Sequence, residues 1–143
     1  MTEPTELKWS HKDEWHCRGK DFLIVVKHHA VDVPEEFRGI DGPHRWCVYA
    51  YIYPKHQMFN RFNGDAMFQD AACDLPLHCG PSYLQWHRDK DSKPLSVQVG
   101  ADYNHLHDEH FTHYADAESA HRVFADAQQL HEYLTRANQG VTP

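Results

Sequence analysis

Two short polar segments flank a predicted β-hairpin and carry the side chains best suited to chemistry. The first segment, His78-Cys79-Gly80, precedes one strand, and the second, from Asp102 to Asp108, follows the other. In an antiparallel pair the start of one strand lies beside the end of its partner, so these segments should meet at one end of the sheet. Imidazole and carboxylate groups gathered there suit a polar ligand or a metal ion.

We therefore predict a ligand-binding surface made of six residues from the two segments and the strand between them. They are His78, Gly80, Tyr83, Asp102, His105 and Asp108. The glycine permits close approach of the backbone to a ligand, and the tyrosine hydroxyl supplies a hydrogen-bond donor. The alternative is that the Asp and His side chains only brace the turns through hydrogen bonds to the backbone, as in Asx turns. The sequence leaves both interpretations open.

A metal site is a second use for the same segments. Asp102, His105 and Asp108 would then be the ligands of a divalent metal such as zinc, with His78 as acid and base. The run 105–110 also resembles the His-x-His-x-Asp-His signature of metallo-β-lactamase-fold hydrolases. Those hydrolases take further ligands from later strands, whereas one helix follows here. Since the chain holds 14 histidines, we expect chance clustering and no metal.

The cysteines give little support for a metal site. Cys73 and Cys79 lack the Cys-x2-Cys spacing of zinc sites, and they are interpreted as buried thiols. Four cysteines in 143 residues are too sparse for a disulfide scaffold, so reduced thiols in a cytoplasm are expected.

Hydrophobic patterns predict the elements that position these residues. Strands are expected at 21–28, 45–53, 82–86 and 95–101. From residue 116 to about 137, four apolar residues recur at helical spacing, with Asp116 as the N-cap. These residues are Val123, Ala127, Leu130 and Leu134. Because the strands come first and the helix last, we predict an α+β fold, an antiparallel sheet with the long C-terminal helix packed on one face.

Length and charge restrict the classes of function. The 143 residues suit a single domain, 1–143, with about 9–137 ordered and both ends frayed. No apolar run is long enough for a membrane span, so no membrane partner is expected. The net charge of −7, without a cluster of Lys and Arg, argues against sequence-independent binding of nucleic acid.

Four segments follow one another in an order that resembles a family of small bacteriophage and prophage proteins of uncharacterised activity. Those proteins have an aromatic strand, a His-Gly-Gly-x-Thr-Tyr segment, a Gly-Phe-Asp-x-x-His-x-Gly-Asp segment and a C-terminal helix. The counterparts here are 45–53, 78–83, 100–108 and the helix from 116. Three residues depart from the motifs: Cys79 and His107 stand where glycine is usual, and Ser82 replaces threonine.

The resemblance implies a phage accessory protein, expressed in the host cytoplasm, that binds a small ligand or a host protein and counteracts host defence. Two alternatives come from other classes. One is a metal-assisted hydrolase of a nucleotide-like substrate, and the other is an inhibitory partner protein with no small-molecule site. The sequence predicts neither the identity of the target nor the oligomeric state.

Overall fold

A computed structural model describes residues 9–11 and 14–140, and its main feature is one antiparallel sheet. Of the ends predicted to be frayed, 1–8 and 138–143, residues 1–8 and 141–143 lie outside the described residues, whereas Asn138 is the last residue of the C-terminal helix. The sheet has the order β1-β2-β3-β4-β6-β5. Its strands are β1 (Ser10–His11), β2 (Glu14–Gly19), β3 (Phe22–Ala30), β4 (His44–Ile52), β5 (Tyr83–Arg88) and β6 (Pro94–Asp102). The predicted antiparallel α+β class is confirmed.

Two α-helices and three 3-10 turns complete the described elements. The helices are α1 (Asp70–Cys73) and α2 (His121–Asn138), and the 3-10 turns are Glu35–Phe37, Phe59–Arg61 and Glu109–His113. None of the helices in the described part of the chain combines the length and the apolar character that crossing a bilayer requires.

The helix α2 covers one face of the sheet and forms the core with it. Strand β4 alternates buried and half-buried residues, with Trp46, Val48, Ala50 and Ile52 pointing into the core. The predicted stripe of α2, Val123, Ala127, Leu130 and Leu134, is fully buried against that face. This placement is confirmed, and burial of each leucine contributes about 1.5–3 kcal/mol to stability.

The opposite face of the central strands carries polar and aromatic side chains. Tyr49 meets Tyr83 edge to face at 5.4 Å between ring centroids, and Tyr51 stacks on His87 at 5.7 Å. Gly100 makes room for this layer, because a β-carbon there would overlap the ring of Tyr49. Gln98 lies in the same layer and is hydrogen-bonded to His87.

Two expectations about the elements need correction. Strand β2 was not predicted, because its sequence EWHCRG lacks an apolar run; its six pairs with β3 form through backbone bonds. Helix α2 begins at His121 rather than at residue 116, with Ala120 as its N-cap. The Asp116 carboxylate instead accepts the Ser119 N–H at 2.8 Å and closes a separate turn.

Candidate functional site

A buried carboxylate, Asp108, joins the two predicted polar segments at the end of the sheet. His78 donates from Nε2 to both oxygens of Asp108, each at 2.9 Å. The backbone N–H of His105 donates to Asp108 Oδ2 at 2.9 Å, and the Nδ1 atom of His105 lies 3.3 Å from that oxygen. A carboxylate only accepts, so both imidazoles present their N–H groups to it. We call His78, His105 and Asp108 the strand-end cluster.

The hydrogen bonds of this cluster keep Asp108 ionised. Burial alone raises the pKa of the carboxyl group, because a charge is poorly solvated inside the protein. The N–H of His105 and the His78 ring more than offset that effect, and the pKa of Asp108 lies below its usual value. Asp108 is therefore a carboxylate that accepts hydrogen bonds from both histidine residues.

Helix α2 fixes His78 through Tyr103. The His78 ring stacks on the Tyr103 ring at 4.3 Å and 9°, and the edge of Phe111 closes a second side at 5.3 Å. The Tyr103 hydroxyl donates to Asp126 Oδ2 on α2 at 2.6 Å. Burial raises the pKa of Tyr103, so its hydroxyl stays protonated as a donor. Packing of α2 thus sets the plane in which His78 lies.

Asp102 combines turn bracing with contact to the cluster. Its Oδ1 accepts the Asn104 N–H at 3.1 Å and lies 3.5 Å from Nδ1 of His105. Its own N–H donates to Ser82 Oγ at 3.0 Å. The link between His78 and Asp102, expected from strand pairing, therefore runs through Asp108 and His105.

Gly80 and Tyr83 have different surroundings from the other predicted site residues. Gly80 adopts φ +82° in the turn before β5, and its N–H donates to Leu77 O at 3.0 Å. The Tyr83 ring lies in the polar aromatic layer, and its hydroxyl donates to Gln85. None of the contacts described for Tyr83 joins it to the strand-end cluster.

Two motif positions that depart from glycine have left-handed backbone conformations. Cys79 has φ +58° and His107 has φ +74°. L-residues rarely adopt such angles, whereas glycine does so without strain. The backbone therefore explains why glycine would be usual at both places in the motifs quoted above.

A groove of about 370 Å³ adjoins the strand-end cluster. It lies between the segment 37–41 and the loop 104–109, and we call it the groove. Its lining residues are Phe37, Ile40, Asp41, Asn104, His105, Leu106 and Glu109. Ile40 and Leu106 are 64% and 82% exposed, which is unusual for large apolar side chains. Sequence reasoning missed the groove, because its two walls are about 65 residues apart in the chain.

Backbone and side-chain bonds hold the two walls of the groove together. The Gly42 N–H donates to Thr112 Oγ1 at 2.7 Å, and His113 Nε2 donates to Ile40 O at 3.2 Å. Trp46 Nε1 donates to Tyr114 O at 3.0 Å. The walls are thus tied to β4 and to each other.

One group of side chains among the described residues can close around a metal ion: His78, Cys79 and His105. The alternative metal ligands predicted from the sequence were Asp102, His105 and Asp108. Only His105 belongs to both sets. Cys79 was considered as a zinc ligand and set aside for lack of a Cys-x2-Cys pair, and the expectation of a buried thiol is wrong for both Cys73 and Cys79, which are exposed. The other histidines of the 105–113 loop do not join the group.

The comparisons with known proteins add no relative. No family model, no curated protein and no solved structure matches the chain. The resemblance to the phage proteins therefore depends on the motifs quoted above.

Proposed function

We propose that the protein is a phage-type accessory protein that binds a host protein through the groove and thereby counteracts host defence. The observation that carries the proposal is the exposure of Phe37, Ile40 and Leu106 around one concave surface. Isolated exposed apolar residues are ordinary, but several of them around one groove are typical of binding sites.

The charge of the groove favours a particular partner. Asp41 and Glu109 are acidic, and no Lys or Arg is among the lining residues. Charge complementarity therefore favours a protein segment that places an apolar side chain in the groove beside a Lys or Arg. A small polar ligand held by the strand-end cluster is the competing occupant.

The phage and host-defence parts of the proposal are supported by the motif resemblance. The two positions where the motifs usually have glycine are the left-handed residues Cys79 and His107 here. This is expected if the turns of this protein resemble those of the phage proteins. A host cytoplasm also suits the exposed thiols of Cys73 and Cys79, since a reducing compartment keeps thiols from pairing.

The test compares groove variants with matched surface variants. Ile40→Ser and Leu106→Ser remove apolar area from the groove, whereas Phe68→Ser and Leu95→Ser remove it elsewhere on the exposed surface. A host protein retained by the immobilised wild type is purified, and its affinity for each variant is measured by calorimetry. We expect the groove variants to bind about tenfold or more weakly, and the matched variants to bind like the wild type.

A charge variant tests the predicted chemistry of the partner. Glu109→Lys should weaken binding, and the loss should shrink at high salt because exposed charges are screened. Equal binding by wild type, Leu106→Ser and Glu109→Lys would contradict the proposal. Tight binding of a metabolite in native mass spectrometry, with no protein partner, would favour the small-ligand alternative instead.

A further inference from the structure

We propose that His78, Cys79 and His105 form a zinc-binding site, which goes beyond the partner binding proposed above. One ligand atom of each residue lies within 4.8 Å of those of the other two. In a tetrahedral site with bonds of about 2.0–2.3 Å, ligand atoms are about 3.3–3.6 Å apart. Cys79 is exposed and the two histidines are half-buried, so small side-chain rotations can close the remaining distance.

The donor set selects the kind of ion. Two imidazole nitrogens and one thiolate are the ligands of zinc and similar borderline-soft metals. Calcium and magnesium prefer oxygen ligands, and these three side chains offer none.

Asp108 contacts one ring nitrogen of each of the two histidines. It bonds Nε2 of His78 at 2.9 Å and lies 3.3 Å from Nδ1 of His105. In the described part of the chain, the opposite ring nitrogens, Nδ1 of His78 and Nε2 of His105, have no hydrogen-bond partner. A histidine that binds a metal usually donates its other ring N–H to a carboxylate or a carbonyl. Asp108 is thus a positioning residue for both rings.

Three protein ligands leave one coordination position of a zinc ion open. Structural zinc sites normally fill all four positions with protein side chains, whereas catalytic sites keep one for water or substrate. His105 also lines the groove, so a water molecule on the ion would be accessible from there. The open position would hold a water molecule, and the ligands beside His105 would be His78 and Cys79 rather than Asp102 and Asp108.

The experiment uses the full chain without a histidine tag, stripped of metal with a chelator. Zinc affinity is measured by competition with a chelating indicator, and Co²⁺ serves as a spectroscopic probe. We expect one ion per chain and a thiolate-to-cobalt charge-transfer absorption, which histidine ligands alone do not produce.

Two glycine variants form a matched pair. Cys79→Gly and His107→Gly both place glycine at a positive φ, so both should fold, but the first alone removes a proposed ligand. Zinc affinity should fall by more than about 100-fold in Cys79→Gly and stay within about twofold in His107→Gly. Asp108→Asn should lower zinc affinity by about 10- to 100-fold, the usual effect of losing a carboxylate that orients a ligand.

Several outcomes would overturn the zinc site. Unchanged zinc affinity in Cys79→Gly, an equal loss in His107→Gly, or no thiolate absorption with Co²⁺ would each show capture by scattered histidines. Leu106→Ser separates this inference from the proposed partner binding, because it should weaken the partner and leave zinc affinity unchanged. Each proposal can therefore fail without the other.

Discussion

His56 and His78 are both fixed by hydrogen bonds, but they use their ring nitrogens differently. His56 is 2% exposed. Its Nε2 donates to Leu134 O at 2.8 Å, and its Nδ1 accepts the Met58 N–H at 3.0 Å. His78 bonds through Nε2 to Asp108, and the next residue along the chain is the exposed thiol of Cys79.

The difference separates a structural histidine from a candidate ligand. Both nitrogens of His56 are occupied by the backbone, so the ring can only hold α2 to the loop after β4. His78 is oriented by a carboxylate and keeps a ring nitrogen for another atom. Two identical imidazole rings therefore differ in their ability to bind a further atom. The hydrogen bonding of each ring nitrogen determines that difference.

Removing His56 should have the largest effect on stability. His56→Ala leaves a cavity and two unpaired backbone groups, and we expect it to lower the free energy of unfolding by about 2–4 kcal/mol. Urea denaturation measures the change. The control His121→Ala, at an exposed position, should stay within about 0.5 kcal/mol of the wild type.

Removing His78 should cost less. His78→Ala breaks the bond to Asp108, yet that carboxylate keeps the His105 N–H, so we expect a loss of about 1–3 kcal/mol in metal-free buffer. The same denaturation experiment compares the two variants. A cost equal to that of His56→Ala would remove the distinction between the two histidines.

The pH dependence of stability should identify His56 as a neutral histidine. Burial lowers the pKa of His56, and the Leu134 carbonyl and Asp21 only partly counteract that effect. The folded state then binds fewer protons than the unfolded state, so stability is complete above the ordinary pKa near 6.5 and falls as pH decreases through it.

The variant His56→Gln isolates this contribution. Its amide can donate to Leu134 O and accept from Met58 N–H without titrating. Between pH 7.5 and 5.5, the wild type should lose more stability than His56→Gln in parallel urea titrations. Equal losses would assign the titration to other groups.

The smallest effect on stability is expected at His107, which has a left-handed backbone conformation. His107→Gly relieves the strain of φ +74° but adds backbone entropy to the unfolded chain, so we expect a change between about 0 and 1 kcal/mol in the stabilising direction. The comparison His110→Gly, in the 3-10 turn Glu109–His113, should instead destabilise by about 0.5–1 kcal/mol. Thermal unfolding of both variants measures the contrast.

The main elements were predictable because their signals are local. Four core positions of α2 repeat along one helix face, and β4 alternates in and out of the core. Strand β2 gave no such signal, since Cys17 is its one fully buried residue. Its place in the sheet depends on pairing with β3.

The candidate site was predictable in part. Opposing strand ends were expected to bring His78, Asp102, His105 and Asp108 together, and hydrogen bonds and close contacts do link them. Tyr83 belongs to a different layer, because its side chain leans along the sheet toward Gln85. Cys79 carried one usable signal, a side chain at a glycine position of the quoted motif.

The sequence by itself determined the α+β class and the buried stripe of α2, since both follow from short-range periodicity. Only the tertiary structure decided what each histidine does. His56 finds Leu134 across 78 residues, and His78 finds Asp108 across 30. Whether a ring nitrogen is hydrogen-bonded or free depends on atoms that only the folded chain brings close to it.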